Sequence, residues 1–545
     1  MHLKDLARST ILALMKKMLY TLVLIAVLVS CKSVEKYNTQ IAKLHTVQDL
    51  HQDIDKLYKQ LKRHHPKLYQ YTPKAVLDFK FDSLKQAINL PMDSRAFYKQ
   101  LAPVVAQVKQ GHVSVGLEGK RFTRKELKAL KKKKFEFYDL DIVYLDGKLW
   151  VKNYKGNDST LIGKEIVRIN GESATKLAEV YKTRFASDGY NKTLYNRYVS
   201  KTFSLYYYRD KGFLDSLQAT FKAKDSVFSK VLRRIDKNPK KDKKDSISAS
   251  AEDIKPKKLS LKEKKENRLA KKQFRKHKRK LGYIPKDKNF TRNFKYIGKD
   301  STVAYMKLRS FTNGNYKRFY KESFAEIDAK NTTHFILDLR DNGGGRIAEI
   351  DYLYGYLANK PFQFIKESEV TSRTPFIKSV MSNTTPNSIK IIGSLFYPVV
   401  ATYSLIKTKK HNDKIYFNFK KYTKMKAPKP LAYTGRLYVL INGNSFSASS
   451  LLSTHLKATK RATFIGEETG GAYNGTVAGV FKIYRLPVSQ VKVGMGLMQI
   501  EAPQKQNPDG YGIKPDVEVL PNLIDIQSGI DTELEWILKD IYKLD

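Results

Sequence analysis

The first part of the chain has apolar residues at the three- and four-residue spacing of amphipathic helices. This spacing predicts helices over residues 47–61, 76–89 and 94–109. The pattern then changes to the alternation of a strand at Gly111-His112. We therefore predict a helical segment over residues 45–118 that ends in this Gly-His strand.

The middle of the chain mixes strand and helix signals. Asp146-Gly147 lies between two apolar, strand-like runs, which predicts a β-hairpin with a tight turn. Residues 162–171 have the pattern of a turn, a strand and a second turn, and a helix is expected after them. This run resembles the second half of a PDZ domain, and a generic β-hairpin insertion is the alternative. We predict a PDZ-like, β-rich domain over residues 119–222.

The C-terminal half alternates strand patterns with helical ones. Apolar runs at 302–306, 334–339 and 437–441 predict strands that are buried on both faces. Strands separated by helices are typical of an α/β layer fold, which we expect over residues 291–545. The irregular, aromatic stretch at 360–430 is expected to form a wall or a lid.

One segment of the chain is strongly basic. The length of 545 residues indicates several domains. The formal net charge of +49 favours an anionic partner. Residues 230–280 have 22 Lys and Arg against 7 Asp and Glu. Because so few apolar residues are present, we predict a basic insertion over 223–290 that is disordered or a solvated helix. It could bind anionic lipid or glycan, or it could only raise solubility. Nucleic acid is not expected as a partner, since no recognition motif is present.

The N-terminal residues have the pattern of an export signal. Two lysines precede an apolar stretch at 18–29 that is short for a membrane span. The stretch leads to Cys31, the single cysteine of the chain, in a context that resembles a bacterial lipobox. We predict a lipoprotein signal peptide over 1–31, a tether over 32–44 and membrane attachment through an N-terminal lipid. The expected location is the outer membrane of a Gram-negative cell envelope; a membrane anchor with an incidental cysteine is the alternative.

Four glycine- or serine-rich elements in the C-terminal half could carry chemistry. Residues 338–345 follow a buried strand, and consecutive glycines there let backbone N–H groups face an oxyanion. Residues 442–450 lead from a strand into a helix, whose dipole would favour negative charge beside a serine. Residues 466–472 and 509–519 complete the set. A plain glycine turn and a serine-rich helix cap are the alternatives for the first two.

In this order, the four elements resemble the C-terminal-processing and tricorn-type serine peptidases, which have a crotonase-like β/α spiral fold. The resemblance covers the C-terminal half well and the first two segments loosely. It implies that residues 291–545 form a catalytic domain with Ser447 as the nucleophile. It also implies an oxyanion hole formed by the backbone N–H groups of Ala448 and of Gly344 or Gly345.

Members of this family activate the serine in one of two ways. In the first, a lysine downstream of the serine is the base, and its position is Ala472 here, so this arrangement is absent. In the tricorn-type arrangement, a histidine of a Gly-His element is the base and an acid near the last element orients it. These roles fall on His112 and Asp509, although Val113 replaces the family's threonine and the family often has glutamate as the acid. The chemistry agrees, since a serine hydroxyl needs a base and the base needs an orienting group.

Alternative residues and functions stay open on the sequence. Ser445 and Ser449 are alternative nucleophiles, whereas His455 lies about 12 Å along the same predicted helix from Ser447, too far to serve as its base. No metal-ligand spacing is present, and neither a metal nor a cofactor is expected. The predicted function is a serine-type peptidase acting on peptides or unfolded envelope proteins. A catalytically silent binding protein and a hydrolase of other acyl substrates are the alternatives.

Overall fold

The computed structural model describes residues 34–156, 159–224, 226–237 and 260–544. Within these ranges, helices alternate with three β-sheets, which confirms the predicted α/β class. The crotonase-like spiral stays a prediction. The predicted signal peptide over 1–31 and its lipidation site Cys31 lie outside the described residues.

The N-terminal segment is a cluster of helices followed by a short strand. Its elements are α1 (Val34–Ala42), α2 (Val47–His64), α3 (Lys74–Ala87), α4 (Ser94–Ala106) and β1 (Ser114–Gly116). The helices α2, α3 and α4 match those predicted from the apolar spacing, and their buried faces share one core around Leu57 and Phe97. Asp93 caps α4 by accepting hydrogen bonds from two backbone N–H groups.

Part of the predicted tether is folded. Residues 34–42 form α1 because Tyr37 is buried against the strand region and donates a hydrogen bond to the backbone oxygen of Glu118 at 3.0 Å. Asn38 adds a bond to the backbone oxygen of Arg121. The helix is thus held by tertiary contacts that its own short sequence does not reveal.

The second region is a seven-stranded sheet with three helices. Its strands are β2 (Lys133–Phe135), β3 (Leu140–Leu145), β4 (Lys148–Tyr154), β5 (Glu165–Ile169), β6 (Glu172–Ser173), β7 (Ser216–Ala223) and β8 (Ser226–Asp236). Its helices are α5 (Arg124–Leu130), α6 (Ala174–Lys182) and α7 (Thr193–Lys211). The predicted hairpin is confirmed, since β3 and β4 pair around Asp146-Gly147. The PDZ-like character of this domain stays a prediction.

The basic insertion is more ordered than predicted. Residues 226–236 form β8, which pairs with β7 from Ser216 to Ala223, so the backbone ladder orders a strand with almost no apolar burial. Further on, α8 (Leu261–Leu281) begins with a capping box and has no buried residue, which agrees with the solvated-helix alternative. Residues 238–259 lie outside the described part of the chain.

The C-terminal domain contains the remaining elements. Its strands are β9 (Arg292–Ile297), β10 (Val303–Leu308), β11 (His334–Asp338), β12 (Ser368–Val370), β13 (Thr408–His411), β14 (Lys414–Phe417), β15 (Arg436–Ile441), β16 (Thr463–Gly466), β17 (Thr476–Arg485), β18 (Lys492–Ile500) and β19 (Val517–Glu518). Its helices are α9 (Tyr316–Ala329), α10 (Ile347–Leu357), α11 (Pro375–Val380), α12 (Asn387–Leu395), α13 (Tyr397–Lys407), α14 (Lys420–Thr423), α15 (Ala448–Ala458), α16 (Leu523–Ser528) and α17 (Thr532–Leu544). Short 3₁₀ helices lie at Glu136–Asp139, Ser159–Leu161 and Pro285–Asp287.

A mainly parallel sheet with strand order β19-β16-β15-β11-β10-β9 forms the centre of this domain. Alternate residues face opposite sides, so Phe335 and Leu337 join one core while Ile336 packs in a second core with Ile537 of α17. The sheet is therefore buried on both faces, as predicted. Because β11 and β15 are parallel neighbours, the loops that follow them emerge side by side.

A second sheet with strand order β1-β18-β12-β14-β13 attaches the N-terminal segment to the C-terminal domain. β1 pairs antiparallel with β18, with Ser114 opposite Gly494. Val115 and Val493 lie in the core shared with the N-terminal helices. This pairing places His112, two residues before β1, against the loops of the C-terminal domain.

Candidate active site

Ser447 lies at a sharp turn between a strand and a helix. β15 ends at Ile441 and α15 begins at Ala448, so the serine directly precedes the helix. Its φ of 57° and ψ of −115° are unusual for a residue with a side chain. Such a turn presents the hydroxyl at the N-terminus of α15, where the helix dipole stabilises a developing negative charge.

His112 contacts this serine from a distant part of the chain. The distance from His112 Nε2 to Ser447 Oγ is 3.0 Å, within the reach that a general base requires. Burial lowers the pKa of His112 to about 4, so the ring is neutral at neutral pH and can accept a proton. The rings of Phe446 and Phe481 pack edge-on against the imidazole. The structure thus brings the predicted nucleophile and the predicted base together.

The glycine loop lies directly against the Ser447 turn. A Cβ atom on Gly344 would lie 2.8 Å from the backbone nitrogen of Ala448, and the φ of Gly344 is +102°, so a side chain does not fit. The Gly344 N–H donates a hydrogen bond to Asn342 Oδ1 at 2.9 Å. Within the described residues, no hydrogen bond engages the N–H of Ala448 or Gly345. Of the two predicted glycine donors, only Gly345 therefore keeps an unengaged N–H group.

Asn342 holds the Ser447 turn through hydrogen bonds. Its backbone oxygen accepts hydrogen bonds from the N–H of Phe446 at 3.0 Å and from Ser449 Oγ at 2.7 Å. Its side-chain amide donates to the backbone oxygen of Leu308 on β10. The asparagine thereby fixes the turn to the central sheet.

The other candidates in the same segment have structural partners. Ser445 Oγ donates to the backbone oxygen of Leu339 at 2.8 Å, and Ser449 Oγ donates to Asn342 as described above. His455 is buried, and its Nε2 bonds to the backbone oxygen of Phe364 at 2.7 Å. These contacts favour Ser447 over its neighbours, because its hydroxyl is the one that meets a basic nitrogen.

Asp509 lies near the site but not against the imidazole. Its carboxylate accepts hydrogen bonds from Asn474 Nδ2 and Gln70 Nε2, each at 2.9 Å. The Gln70 Oε1 in turn accepts a bond from Gln110 Nε2 at 3.2 Å, two residues before His112. No hydrogen bond joins Asp509 to His112 among the described residues, and none involves His112 Nδ1. The predicted orienting role of Asp509 stays a prediction.

Asp188 is a carboxylate of the site that the sequence analysis missed. Its Oδ1 accepts a hydrogen bond from the N–H of Gly111 at 2.8 Å, and Gly189 beside it donates to the backbone oxygen of Lys109. Burial raises the pKa of Asp188 to about 6, against the opposing effect of the Gly111 N–H. An aspartate before a glycine is an ordinary turn signal, so its local sequence does not single it out.

The start of the glycine loop, Asp338-Leu339-Arg340, is structural in this fold. Asp338 ends β11 and pairs with Arg340 at 2.7 Å and with Lys307 at 2.8 Å, and these cations lower its pKa despite burial. Arg340 also pairs with Asp531 at 2.6 Å. This ion-pair network anchors the end of β11.

Two cavities are lined by His112, and one of them is also lined by Ser447. One, of about 540 Å³, is lined by both of these residues and by apolar side chains that include Phe376, Leu451 and Phe481. The other, of about 720 Å³, is lined by His112 and Phe446 but not by Ser447. The serine hydroxyl therefore faces a space that could hold an apolar group. Within the described ranges, no cluster of three or more His, Cys, Asp or Glu side chains could hold a metal ion.

Comparison with known proteins gives one family model that matches part of the chain. Residues 302–519 match the model of peptidase family S41. No curated protein matches the sequence significantly. The fold is similar to that of mature CPAF, with a TM-score of 0.59 and 13% sequence identity over 91% of this chain and 98% of that chain. Mature CPAF complexed with lactacystin gives a TM-score of 0.57 and 14% identity over the same shares.

A third solved structure is also similar. The photosystem II D1 C-terminal processing protease aligns over 90% of this chain and 96% of that chain, at 14% identity and a TM-score of 0.37. At such low identity, the likeness to CPAF concerns the fold alone.

Proposed function

The chain carries a domain of peptidase family S41, and from this premise we propose that it hydrolyses peptide bonds with Ser447 as the nucleophile and His112 as the general base. The observation that carries the proposal is the 3.0 Å contact between His112 Nε2 and Ser447 Oγ. The two residues are 335 positions apart in the sequence, so the tertiary fold brings them into contact.

In the proposed reaction, neutral His112 takes the proton of the Ser447 hydroxyl as the oxygen attacks the peptide carbonyl. The protonated imidazole then gives this proton to the leaving amine, and the C–N bond breaks to leave an acyl-enzyme. In the second half, water attacks the ester carbonyl while His112 takes a proton from the water. The bond from the acyl carbon to Ser447 Oγ then breaks as His112 returns the proton to this oxygen, and the acid product is released. The lowered pKa of His112 keeps the ring in its neutral form, with a lone pair on one nitrogen, at neutral pH.

The oxyanion of each tetrahedral intermediate would be bound by backbone N–H groups. We assign Ala448 as one donor and Gly345 as the other, with Gly344 allowing the close approach of the two loops. The N-terminus of α15 adds its dipole at the same point.

We favour a tricorn-like arrangement over a serine–lysine pair. Ala472 lies where the lysine would be expected, and no lysine Nζ hydrogen-bonds to Ser447 among the described residues. Asp509 is proposed to orient His112 indirectly, through Gln70 and Gln110. Asp188 would hold the turn before His112 by accepting the hydrogen bond from the Gly111 N–H.

The proposed substrate is a peptide or an unfolded protein with an apolar side chain near the scissile bond. The support is the 540 Å³ cavity beside Ser447, whose walls are mostly apolar. A charged side chain there would lose its hydration without gaining a partner, which would disfavour it.

The location is proposed from the sequence alone. The lipobox-like context of Cys31 supports a lipidated protein at the outer membrane, and incorporation of a labelled fatty acid that Cys31→Ser abolishes would test it. The basic segment 230–280 is a further proposed contact with anionic lipid or glycan.

Labelling with a fluorophosphonate probe tests the active serine. We expect the wild type to be labelled, Ser447→Ala to be unlabelled, and His112→Ala to be labelled at least about 10²-fold more slowly. Ser489→Ala, which removes another buried serine, is the matched control and should label like the wild type. A folded wild type that does not label would instead support a catalytically silent binding protein on the same fold.

A further inference from the structure

An exposed apolar surface lies beside the active site. The helices α12 and α13, here called the apolar hairpin, bury only Ser404 among their residues. Leu395, Val399 and Ile406 expose 71%, 70% and 72% of their surface. Soluble monomers rarely expose contiguous apolar patches of this kind, so the hairpin is expected to have a partner.

The hairpin has the composition of a membrane-contacting segment. No single helix within the described residues is long and apolar enough to cross a membrane, but α12 and α13 meet that test as a pair bent by 69°. A bent pair that keeps its backbone bonds within each helix can lie along an interface. Phe396, Tyr397 and Tyr403 are among its exposed side chains, and aromatic rings favour the headgroup level.

The positive charge around the hairpin indicates that the partner surface is anionic. Residues 373–426 have 11 Lys and Arg and a single acidic residue, Asp413. Lys378, Lys390 and Lys409 form no ion pair in the part of the chain that the structure describes. Exposed apolar helices with unpaired cations on their flanks are complementary to anionic lipid, which offers both an apolar layer and negative headgroups.

A cavity opens on the same face. It has a volume of about 360 Å³, lies between α11, α12 and α13, and is lined by apolar and aromatic side chains such as Val380, Phe396 and Tyr403. The three helices thus leave apolar space between them as well as apolar surface outside, which suits an acyl chain.

We propose that the apolar hairpin docks this protein on an anionic lipid bilayer, with α12 and α13 in the headgroup region and the flanking lysines at the phosphates. A second copy of the chain is the less suitable occupant, because the same cationic flanks would face each other across a symmetric contact. The docking does not depend on peptidase activity. Since Phe376 of α11 lines the cavity beside Ser447, docking would hold the active site close to the membrane surface.

A tryptophan placed on the hairpin provides a local test. The full chain is made with Cys31→Ser, so that no lipid is attached, and with Phe396→Trp as the probe. We expect a blue shift and at least about twofold quenching by brominated phosphatidylglycerol vesicles, and much less with brominated phosphatidylcholine at the same salt. The signal of the two native tryptophans is subtracted with the Cys31→Ser parent.

Phe79→Trp is the matched control in the same background. Phe79 is 66% exposed against 59% for Phe396, but it lies on α3, where Lys74 and Lys85 are paired with Asp78 and Asp82. Its tryptophan should not be quenched. Adding Leu395→Ser to Phe396→Trp should weaken the apparent vesicle affinity at least about tenfold, with unfolding curves showing that both variants remain folded.

Three results would overturn the proposal. The first is the absence of quenching at position 396 in a folded protein, and the second is equal quenching at 396 and 79. The third is a blue shift that depends on protein concentration without vesicles and follows dimer formation in light scattering, which would assign the hairpin to a contact between copies.

Discussion

Two buried histidines of this protein have the same titration behaviour and different surroundings. Burial lowers the pKa of both His112 and His455 to about 4, so both rings are neutral at neutral pH. The Nε2 of His455 donates to a backbone carbonyl, that of Phe364, and the ring stacks on the Phe364 side chain. The Nε2 of His112 instead meets a serine hydroxyl on the wall of a cavity.

The two neutral rings differ in the hydrogen-bond partner of their Nε2 atoms. A carbonyl can only accept, so His455 Nε2 carries the proton and the ring acts as a packed polar group. A hydroxyl can donate, so His112 Nε2 can take a proton from Ser447. Burial and a shifted pKa therefore do not identify a catalytic histidine; the partner and the access to a cavity do.

The largest expected effect separates these two residues by activity. His112→Ala should lower kcat/KM for a peptide substrate about 10³-fold, because no other base lies within reach of Ser447 among the described residues. His455→Ala should keep kcat/KM within about threefold. It should lower the free energy of unfolding by about 2–4 kcal/mol through the cavity it leaves. Steady-state kinetics and urea unfolding measure both; equal losses of kcat/KM in the two folded variants would remove the distinction.

Acid should destabilise the fold through its buried histidines. The folded-state pKa of His455 is about 4 and that of His65 about 3, both below the ordinary value of 6.5. A group with a lowered folded pKa binds fewer protons when folded, so stability is complete above pH 6.5 and is lost as pH falls towards 4. Each fully buried ring should contribute about 2 kcal/mol to the loss between pH 7 and pH 4.5.

Urea unfolding at the two pH values checks this expectation. His455→Gln should flatten the pH dependence by about 2 kcal/mol. His112→Gln should flatten it as well, because the folded-state pKa of His112 is also about 4. A wild type that is equally stable at pH 7 and pH 4.5 would contradict the buried, neutral state of these rings.

The two site residues and several helices were predictable from the sequence. Ser447 and His112 come from motifs whose order resembles a known family, and the structure brings them into contact although their roles remain proposals. Helices such as Val47–His64 were predictable because one apolar face recurs with the helical period.

Other features depend on partners that are distant in sequence. β8 is exposed along almost its whole length and forms through its backbone ladder with β7, so low apolar content did not prevent order. Asp188 has its raised pKa only because the chain folds over it near Gly111. Contacts of this kind leave no local pattern of spacing or composition.

Asp188 should show the opposite pH dependence to the histidines. Its folded pKa of about 6 lies above the ordinary value of 3.8, so the folded state holds an extra proton and stability falls as pH rises from about 4 to 6. Asp188→Asn keeps an acceptor for Gly111 and removes this ionisation. The stability of the variant relative to the wild type should improve by about 2 kcal/mol between pH 4 and pH 8, as measured by urea unfolding. A difference that does not vary with pH would show that Asp188 does not titrate in this range.

The smallest expected effect concerns the hydrogen-bonded path from Asp509 to the His112 turn. Asp509 bonds to Gln70, and Gln70 bonds to Gln110, so the two contacts act in series. Asp509→Ala and Gln70→Ala should each lower kcat/KM about tenfold, and the double variant should lose little more than either single one, because residues in one network are not additive. The pH profile of kcat/KM should shift in parallel in all three, since the orientation of the base is what changes. Full additivity of the two losses would mean that Asp509 acts on His112 by another route, such as a direct contact formed when substrate binds.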